Sequence, residues 1–127
     1  MKKLTTTLCV TIAVLLGNLG VSWSADLQKG LDAVNRGDFA TALREWRPLA
    51  EQGVASAQNN LGFMYVYGKG VLQDYVRAHM WFNIAASSGN KTASENRDLV
   101  AVLMNSNQIE TAQRLARECV RKKYKGC

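Results

Sequence analysis

Two stretches of the chain carry apolar and small residues at three- and four-residue steps, the spacing of one face of an α-helix. The positions are Ala42, Trp46, Leu49 and Ala50 in the first stretch, and Ala78, Trp81, Phe82, Ala85 and Ala86 in the second. Aromatic residues at this spacing belong far more often to a hydrophobic core than to a ligand site. The pattern therefore predicts two amphipathic helices that pack through these faces.

The two stretches repeat each other at a distance of thirty-six residues. The matched pairs are Asp38 and Asp74, Phe39 and Tyr75, Ala42 and Ala78, Trp46 and Phe82, Ala50 and Ala86, and Gly53 and Gly89. The aspartates stand where an N-cap would satisfy free backbone N–H groups. The glycines stand where a left-handed residue would end each helix. The sequence therefore predicts a structural repeat.

A second helix is predicted ahead of each copy, at residues 26–36 and at residues 60–67. Gly30 in the first of these helices matches Gly62 in the second. A glycine on a packing face lets a neighbouring helix approach closely. The segment from Gly68 to Val71 reads Gly-Lys-Gly-Val and predicts a turn that needs positive φ.

Capping patterns predict two further helices. Thr92 and Glu95 have capping-box spacing and would open a helix that runs to about Met104. Asn105 and Gln108 repeat the pattern and would open the last helix. The apolar face of this last helix comprises Ile109, Ala112, Leu115, Ala116 and Cys119.

These six helices predict an all-α domain at residues 25–127, which shows no strand pattern. They form three antiparallel helix pairs, in units of about 25–53, 54–89 and 90–127. One such hairpin is too small to bury its own apolar face, so the units are expected to stack into a short right-handed α-solenoid.

Residues 1–24 have the pattern of a cleaved secretory signal peptide. Lys2 and Lys3 precede an apolar run from Leu8 to about Val21, and residues 22–24 (Ser-Trp-Ser) supply small residues for cleavage after Ser24. A membrane anchor is the weaker alternative, because a spanning helix needs about 20 apolar residues. The run here is shorter and is interrupted by Thr11, Gly17 and Asn18. We therefore expect an exported protein, most simply periplasmic, with full secretion as the alternative and no membrane association beyond the signal.

The charge and the cysteine content add two observations on residues 25–127, which would remain after cleavage of the signal. The formal net charge of +6 includes Lys2 and Lys3. Six cations crowd the last fourteen positions, namely Arg114, Arg117, Arg121, Lys122, Lys123 and Lys125. A solvated helix end is the favoured interpretation of this cluster, and a polyanion or anionic membrane surface is the alternative. Cys119 and Cys127 remain after cleavage, and an even count in an exported chain suggests a disulfide.

Residues 57–89 closely resemble the Sel-one-like repeat (SLR), a relative of the tetratricopeptide repeat. The resemblance lies in the stretch Ala57-Gln58-Asn59-Asn60-Leu61-Gly62 through Gly68-Lys69-Gly70-Val71, followed by Asp74, Ala78, Trp81, Ala85, Ala86 and Gly89. The first unit resembles the shorter tetratricopeptide form. The third unit lacks the Leu-Gly and Gly-x-Gly-Val signatures and so departs from the family pattern.

The resemblance implies an α-solenoid that binds other proteins or peptides through a concave surface lined by the first helix of each unit. The positions that it implies are Asn59, Phe63, Val66 and Tyr67 in the second unit, and Glu95, Leu99 and Val102 in the third. Packing of Phe63 on an adjacent unit is an equally good interpretation of that ring. Some exported members have disulfides at the joints between repeats, and Cys119 and Cys127 fall at such a joint.

Signals for catalysis are weak, so the sequence predicts a non-catalytic adaptor without metal or cofactor. Ser88 and Lys91 match the Ser-x-x-Lys pattern of β-lactam-acylating enzymes, but Gly89 should break the helix between them. His79, the only histidine, has no evident catalytic partner. A hydrolase acting on β-lactam-like or cell-wall compounds remains the alternative. Export argues against nucleic acid as a ligand.

Overall fold

The computed structural model describes residues 26–127, and the predicted signal at 1–24 lies outside them. Within this range the chain forms six helices and no strand, as the sequence predicts. The helices are α1 (residues 26–35), α2 (Phe39–Glu51), α3 (Ala55–Tyr67), α4 (Tyr75–Ser87), α5 (Lys91–Ala101) and α6 (Ser106–Arg121).

The helices of the repeat begin and end as the matched residues predict. Asp38 accepts a hydrogen bond from the Thr41 backbone N–H, and Asp74 accepts one from the Arg77 N–H. Gly53 and Gly89 follow α2 and α4 with positive φ angles of 88° and 92°. A residue with a β-carbon is disfavoured in this conformation, so glycine suits both turns.

Three helix boundaries differ from the sequence prediction, one of them the end of α5 at Ala101, which was predicted at about Met104. α5 begins at Lys91, because the Asn90 side chain accepts a hydrogen bond from the Ala93 N–H and serves as the N-cap. The predicted opening at Thr92 is therefore wrong. α3 begins at Ala55, five residues before the predicted start, and its N-cap Val54 offers no side-chain hydrogen bond that the sequence could reveal. The predicted capping box of α6 is confirmed, with both bonds between Asn105 and Gln108 present.

Glycines create the closest contacts between the paired helices. A β-carbon on Gly30 would overlap the indole of Trp46, and one on Gly62 would overlap the ring of Phe82. The Trp46 indole N–H donates to the carbonyl oxygen of Leu27 in α1 at 3.2 Å. Trp46 and Phe82, which occupy matched positions of the repeat, thus lie directly on the backbone of the preceding helix.

α4 is the central helix of the described part of the chain. Its backbone packs closely against α3, α5 and α6, while α2 packs against α3. α5 and α6 approach each other less closely than either approaches α4, so the third unit is held together mainly through the second. The largest fully buried side chains are Trp81, Phe82 and Ile84 of α4 and Leu61 of α3. Stacking on α4 therefore supplies most of the core.

Candidate functional site

Exposed apolar side chains concentrate on the surface formed by α1, α3 and α5. A groove of about 380 Å³ runs between α3 and the first helix pair. Its lining comprises Leu31, Val34, Phe39, Trp46, Asn60, Phe63, Met64, Tyr67 and Lys69. We call it the first groove. It is almost entirely apolar, because only Asn60 and Lys69 bring polar side chains to it besides the Tyr67 hydroxyl and the Trp46 indole N–H.

A second groove, of about 180 Å³, lies between α3 and α5. Its lining comprises Phe63, Val66, Tyr67, Asn96, Leu99, Val100 and Leu103. Leu99 is 69% exposed although it is a large apolar residue. The two grooves therefore place apolar surface on both sides of α3.

Phe63 and Tyr67 line both grooves and form the ridge between them, which we call the α3 ridge. Their rings stack with centroids 6.4 Å apart and planes within 8°. Phe63 also meets buried Phe82 edge-on at 5.6 Å between centroids. Phe63 is 38% exposed and Tyr67 is 65% exposed. One side of the ridge thus packs on the core through Phe82, and the other side is exposed to solvent.

The electrostatic character of this surface comes mainly from Lys69. Its Nζ lies 5.3 Å from the centroid of the Phe39 ring, within cation–π range. No other lining residue of the two grooves carries a charge. A partner would therefore bind chiefly by burying apolar surface, with one cation at the edge of the first groove.

The structure brings together four of the seven residues that the family resemblance implies, namely Phe63, Val66, Tyr67 and Leu99. Asn59 is only 8% exposed, and its Oδ1 accepts a hydrogen bond from Asn96 Nδ2 at 3.1 Å. Asn59 therefore mainly links α3 to α5. Glu95 and Val102 are exposed but line neither groove.

The apolar residues of this surface that sequence reasoning missed include Leu31 and Val34 of α1, and Leu103 beyond α5. A signal for the first two was present. When Gly30 is aligned with Gly62, Leu31 occupies the position equivalent to Phe63, and Val34 the position equivalent to Val66. Leu103 had no comparable signal, because the third unit departs from the repeat pattern.

The segment after α6 reaches the turn between α2 and α3, and the Cys127 carbonyl oxygen accepts a hydrogen bond from Arg77 of α4 at 2.6 Å. A disulfide joins Cys119 to Cys127, whose Cα atoms are 5.7 Å apart. Lys123 and Tyr124 adopt positive φ angles of 53° and 66°, which are uncommon for residues with a β-carbon. The Tyr124 ring lies against Gly53, in the turn between α2 and α3. We call residues 122–127 the C-terminal strap.

His79 of α4 is buried, and its Nδ1 has no hydrogen-bond partner within the described chain. Burial lowers the pKa of His79 below its ordinary value of 6.5, and the nearby Arg97 guanidinium lowers it further, while Asp98 opposes the shift. A buried neutral imidazole without a nucleophile beside it fits a core role better than a catalytic one.

The two residues of the Ser-x-x-Lys match lie on either side of the turn between α4 and α5. Ser88 follows the last residue of α4 and Lys91 is the first residue of α5, with Gly89 in the left-handed conformation between them. The two side chains therefore belong to different helices and do not lie one turn apart on a single helix. Among residues 26–127, no cluster of three or more potential metal ligands occurs, and no helix is long and apolar enough to cross a membrane.

Comparison with known proteins identifies similarity to one repeat family. Residues 55–90 match the family model described as Sel1 repeat. The chain is also similar to a protective antigen present in uropathogenic Escherichia coli strains, whose crystal structure displays an SLR fold. The identity is 30% and the TM-score 0.72 over 80% of this chain, which spans 24% of the antigen's length. No curated protein matches the sequence significantly.

Proposed function

We propose that this protein is a non-catalytic protein-interaction module of the bacterial cell envelope. The proposal starts from the match of residues 55–90 to the Sel1 repeat and from the similarity of the chain to a protein with an SLR fold. Sel1 repeats generally mediate protein–protein interaction. The contact surface in this proposal is the α3 ridge with the two grooves beside it. The partner is a protein or peptide that supplies apolar side chains to both grooves.

The observation that carries the proposal is the exposure of a contiguous apolar surface on α1, α3 and α5. Isolated exposed apolar residues are normal on any protein, whereas contiguous patches mark interaction sites. Here Leu31, Phe63, Tyr67, Leu99 and Leu103 are all exposed and line adjoining grooves. Burial of this surface by a partner would remove a large apolar area from water.

The α3 ridge has the properties of a binding hot spot. Aromatic side chains near the centre of an interface dominate its energy, and their restricted rotamers keep the entropy loss on binding small. The stacking of Phe63 on Tyr67, together with the edge contact of Phe63 with Phe82, holds the ridge in one conformation before a partner arrives. We expect the ridge to contribute more affinity than the rims of the grooves.

A position in the envelope is supported by three observations. Residues 1–24 have the composition of an export signal. A disulfide joins Cys119 to Cys127, and disulfides persist in oxidising compartments outside the cytosol. The similar SLR protein is an antigen of uropathogenic Escherichia coli. The proposed location is the periplasm, with secretion as the alternative.

The test is affinity capture from cell-envelope extract with the oxidised protein as bait. A Phe63→Ala, Tyr67→Ala double variant removes the ridge. Leu72→Ala is the matched control, because Leu72 is 91% exposed and lies outside both grooves. We expect the captured partner to bind the double variant about 30-fold or more weakly, since hot-spot truncations cost 2 kcal/mol or more, and to bind the control normally.

Two outcomes would count against the proposal. Equal capture by both variants and the native protein would place the binding site elsewhere. Capture of nothing by the native protein would remove the support for an adaptor. Circular dichroism and thermal unfolding of each variant show whether the fold is intact, which the exposure of the Tyr67 and Leu72 side chains leads us to expect.

A further inference from the structure

A third groove lies on a different part of the surface, between α4 and α6. Its volume is about 400 Å³. α4 contributes Asn83, Ile84 and Ser87 to the lining, and α6 contributes Ala116, Arg117, Val120 and Arg121. The lining includes none of the residues of the first and second grooves. We call it the α4–α6 trough.

The floor of the trough is apolar and the rim is cationic. Ile84 and Ala116 are buried beneath it, and Val120 remains 47% exposed. Arg117 and Arg121 are exposed and one helical turn apart, so they lie on the same side of α6. An apolar floor beside two guanidinium groups would suit an apolar group that carries carboxylates next to it.

Both arginines lack a counterion within the structure. The ion pairs of residues 26–127 include Arg114 with Glu118 on the same helix, but none includes Arg117 or Arg121. The trough lining contains no carboxylate. Like charges one turn apart destabilise a helix by about 0.2–0.5 kcal/mol, and an anion placed between them relieves this repulsion.

The helix dipole accounts for only one of the two cations. Arg121 lies in the last turn of α6, where a positive charge complements the partial negative charge of the free carbonyls. Arg117 lies one turn earlier, where this effect has largely decayed. A solvated helix end therefore explains Arg121 but does not explain why Arg117 stands unpaired beside an apolar floor.

We propose that the α4–α6 trough binds an acidic segment of a partner protein, with an apolar side chain in the trough and carboxylates on Arg117 and Arg121. Guanidinium groups bind carboxylates with two parallel hydrogen bonds, which gives direction as well as charge. The neighbouring cations Lys122, Lys123 and Lys125 would speed the encounter with an acidic chain. This surface acts independently of the α3 ridge.

The shape of the site favours an acidic peptide over other anions. A trough with a buried floor accepts a protruding side chain, whereas a phosphate backbone has no apolar group to place there. A lipid surface would instead contact the whole basic end of the chain, including lysines that do not line the trough. The two cases are separable, because only a peptide should depend on Val120 as well as on the arginines.

The probe for the test is a fluorescein-labelled peptide with two Glu-Leu-Glu triplets joined by Gly-Ser, titrated against the oxidised protein at about 0.15 M salt, where the Debye length is about 8 Å. An Arg117→Gln, Arg121→Gln double variant removes two charges from the trough. The matched control, Lys122→Gln with Lys125→Gln, removes two charges from the same end of the chain but none from the trough lining. Val120→Ser tests the floor.

We expect the arginine double variant to bind the peptide about tenfold more weakly or worse, given the strength of bidentate carboxylate contacts. The lysine control should change affinity by about twofold at most, as screened charges do. Val120→Ser should weaken binding, as should replacement of Leu by Ser in the peptide. A Phe63→Ala, Tyr67→Ala variant should bind the peptide normally, which separates this site from the α3 ridge.

Three results would overturn the proposal. Equal weakening by the arginine and lysine double variants would show unspecific attraction to the basic end. Absence of peptide binding, with arginine-dependent binding to vesicles of phosphatidylglycerol and phosphatidylcholine, would assign the surface to lipid. Peptide binding that is unaffected by Val120→Ser, in a variant whose thermal unfolding is unchanged, would show that the trough itself is not used.

Discussion

The ring of Phe82 occupies the space that a β-carbon on Gly62 would fill, so α3 and α4 meet at a glycine. Gly30 and Trp46 have the same relationship in the first unit. The repeat thus pairs an aromatic ring on the second helix with a glycine on the first. Phe63, next to Gly62, also contacts Phe82, which connects this contact to the α3 ridge.

Substitution of Gly62 by alanine should therefore destabilise the protein. In a helix without crowding, glycine to alanine would stabilise by about 0.5–1 kcal/mol, whereas overpacking a core costs about 1–3 kcal/mol. The sign of the change in the free energy of unfolding, measured with urea, distinguishes the two effects. Gly62→Ala in a Phe82→Leu background is the control, because the smaller side chain should reduce the penalty. A stabilising effect of Gly62→Ala in the native background, or the same destabilisation in both backgrounds, would contradict the contact.

Loss of the disulfide should weaken the fold without abolishing its helices. The bond between Cys119 and Cys127 closes a short loop, for which the chain-entropy model gives about 2–3 kcal/mol. Cys127→Ser is the better variant, since Cys119 is buried and a serine there would place a hydroxyl in the core. Urea unfolding of the native protein with dithiothreitol should match that of Cys127→Ser, and the variant itself should not respond to dithiothreitol.

Stability should decrease as the pH falls from about 7.5 to 5.5, because His79 binds a proton more readily in the unfolded chain. Burial and Arg97 lower the pKa of His79 in the folded state, so the unfolded state gains the proton first as the pH drops through 6.5. The slope from this single proton cannot exceed about 1.4 kcal/mol per pH unit.

The control for this pH effect is His79→Gln, which removes the only histidine of the chain. Free energies of unfolding measured at several pH values should depend less on pH in this range than those of the native protein. An equally steep dependence in the variant would assign the effect to other groups.

Removal of the α6 N-cap should destabilise the third unit. The Asn105 side chain accepts a hydrogen bond from the Gln108 backbone N–H, and the Asn105 backbone N–H donates one to the Gln108 side chain. Asn105→Ala removes the first of these bonds and should cost about 0.5–2 kcal/mol. Asn107→Ala is a matched control, because Asn107 lies in the same turn and its side chain makes no capping bond. Comparable thermal midpoints for the two variants would argue against the capping box.

The residues that define the repeat could be identified from the sequence because local chemistry fixes them. An aspartate N-cap, a glycine after the helix and a glycine on the packing face each reflect one local requirement, and Asp38, Gly53 and Gly62 fulfil these roles in the structure. The start of α5 was predicted incorrectly because two residues could serve as its N-cap. Asn90, which precedes Thr92, caps the helix in the structure.

The candidate surface was only partly predictable, because exposure depends on how the helices are arranged. Asn59 and Phe63 are one turn apart on α3, yet Asn59 is nearly buried against α5 while Phe63 is open to the grooves. The position of Tyr124 on Gly53 is a long-range contact between residues without any shared sequence pattern. Contacts of this kind follow from the packing of distant segments, and periodicity carries no information about them.

The C-terminal strap changes how a short repeat array is expected to unfold. In a linear array each unit contacts only its neighbours, so the terminal units can fray one after another. Here Tyr124 rests on the turn between α2 and α3, and the disulfide ties the strap to α6. The end of the array is thereby joined to the α2–α3 turn, so loss of the third unit also requires the release of this contact. The oxidised chain should consequently unfold as one cooperative unit, with the same midpoint for probes in α2 and in α6.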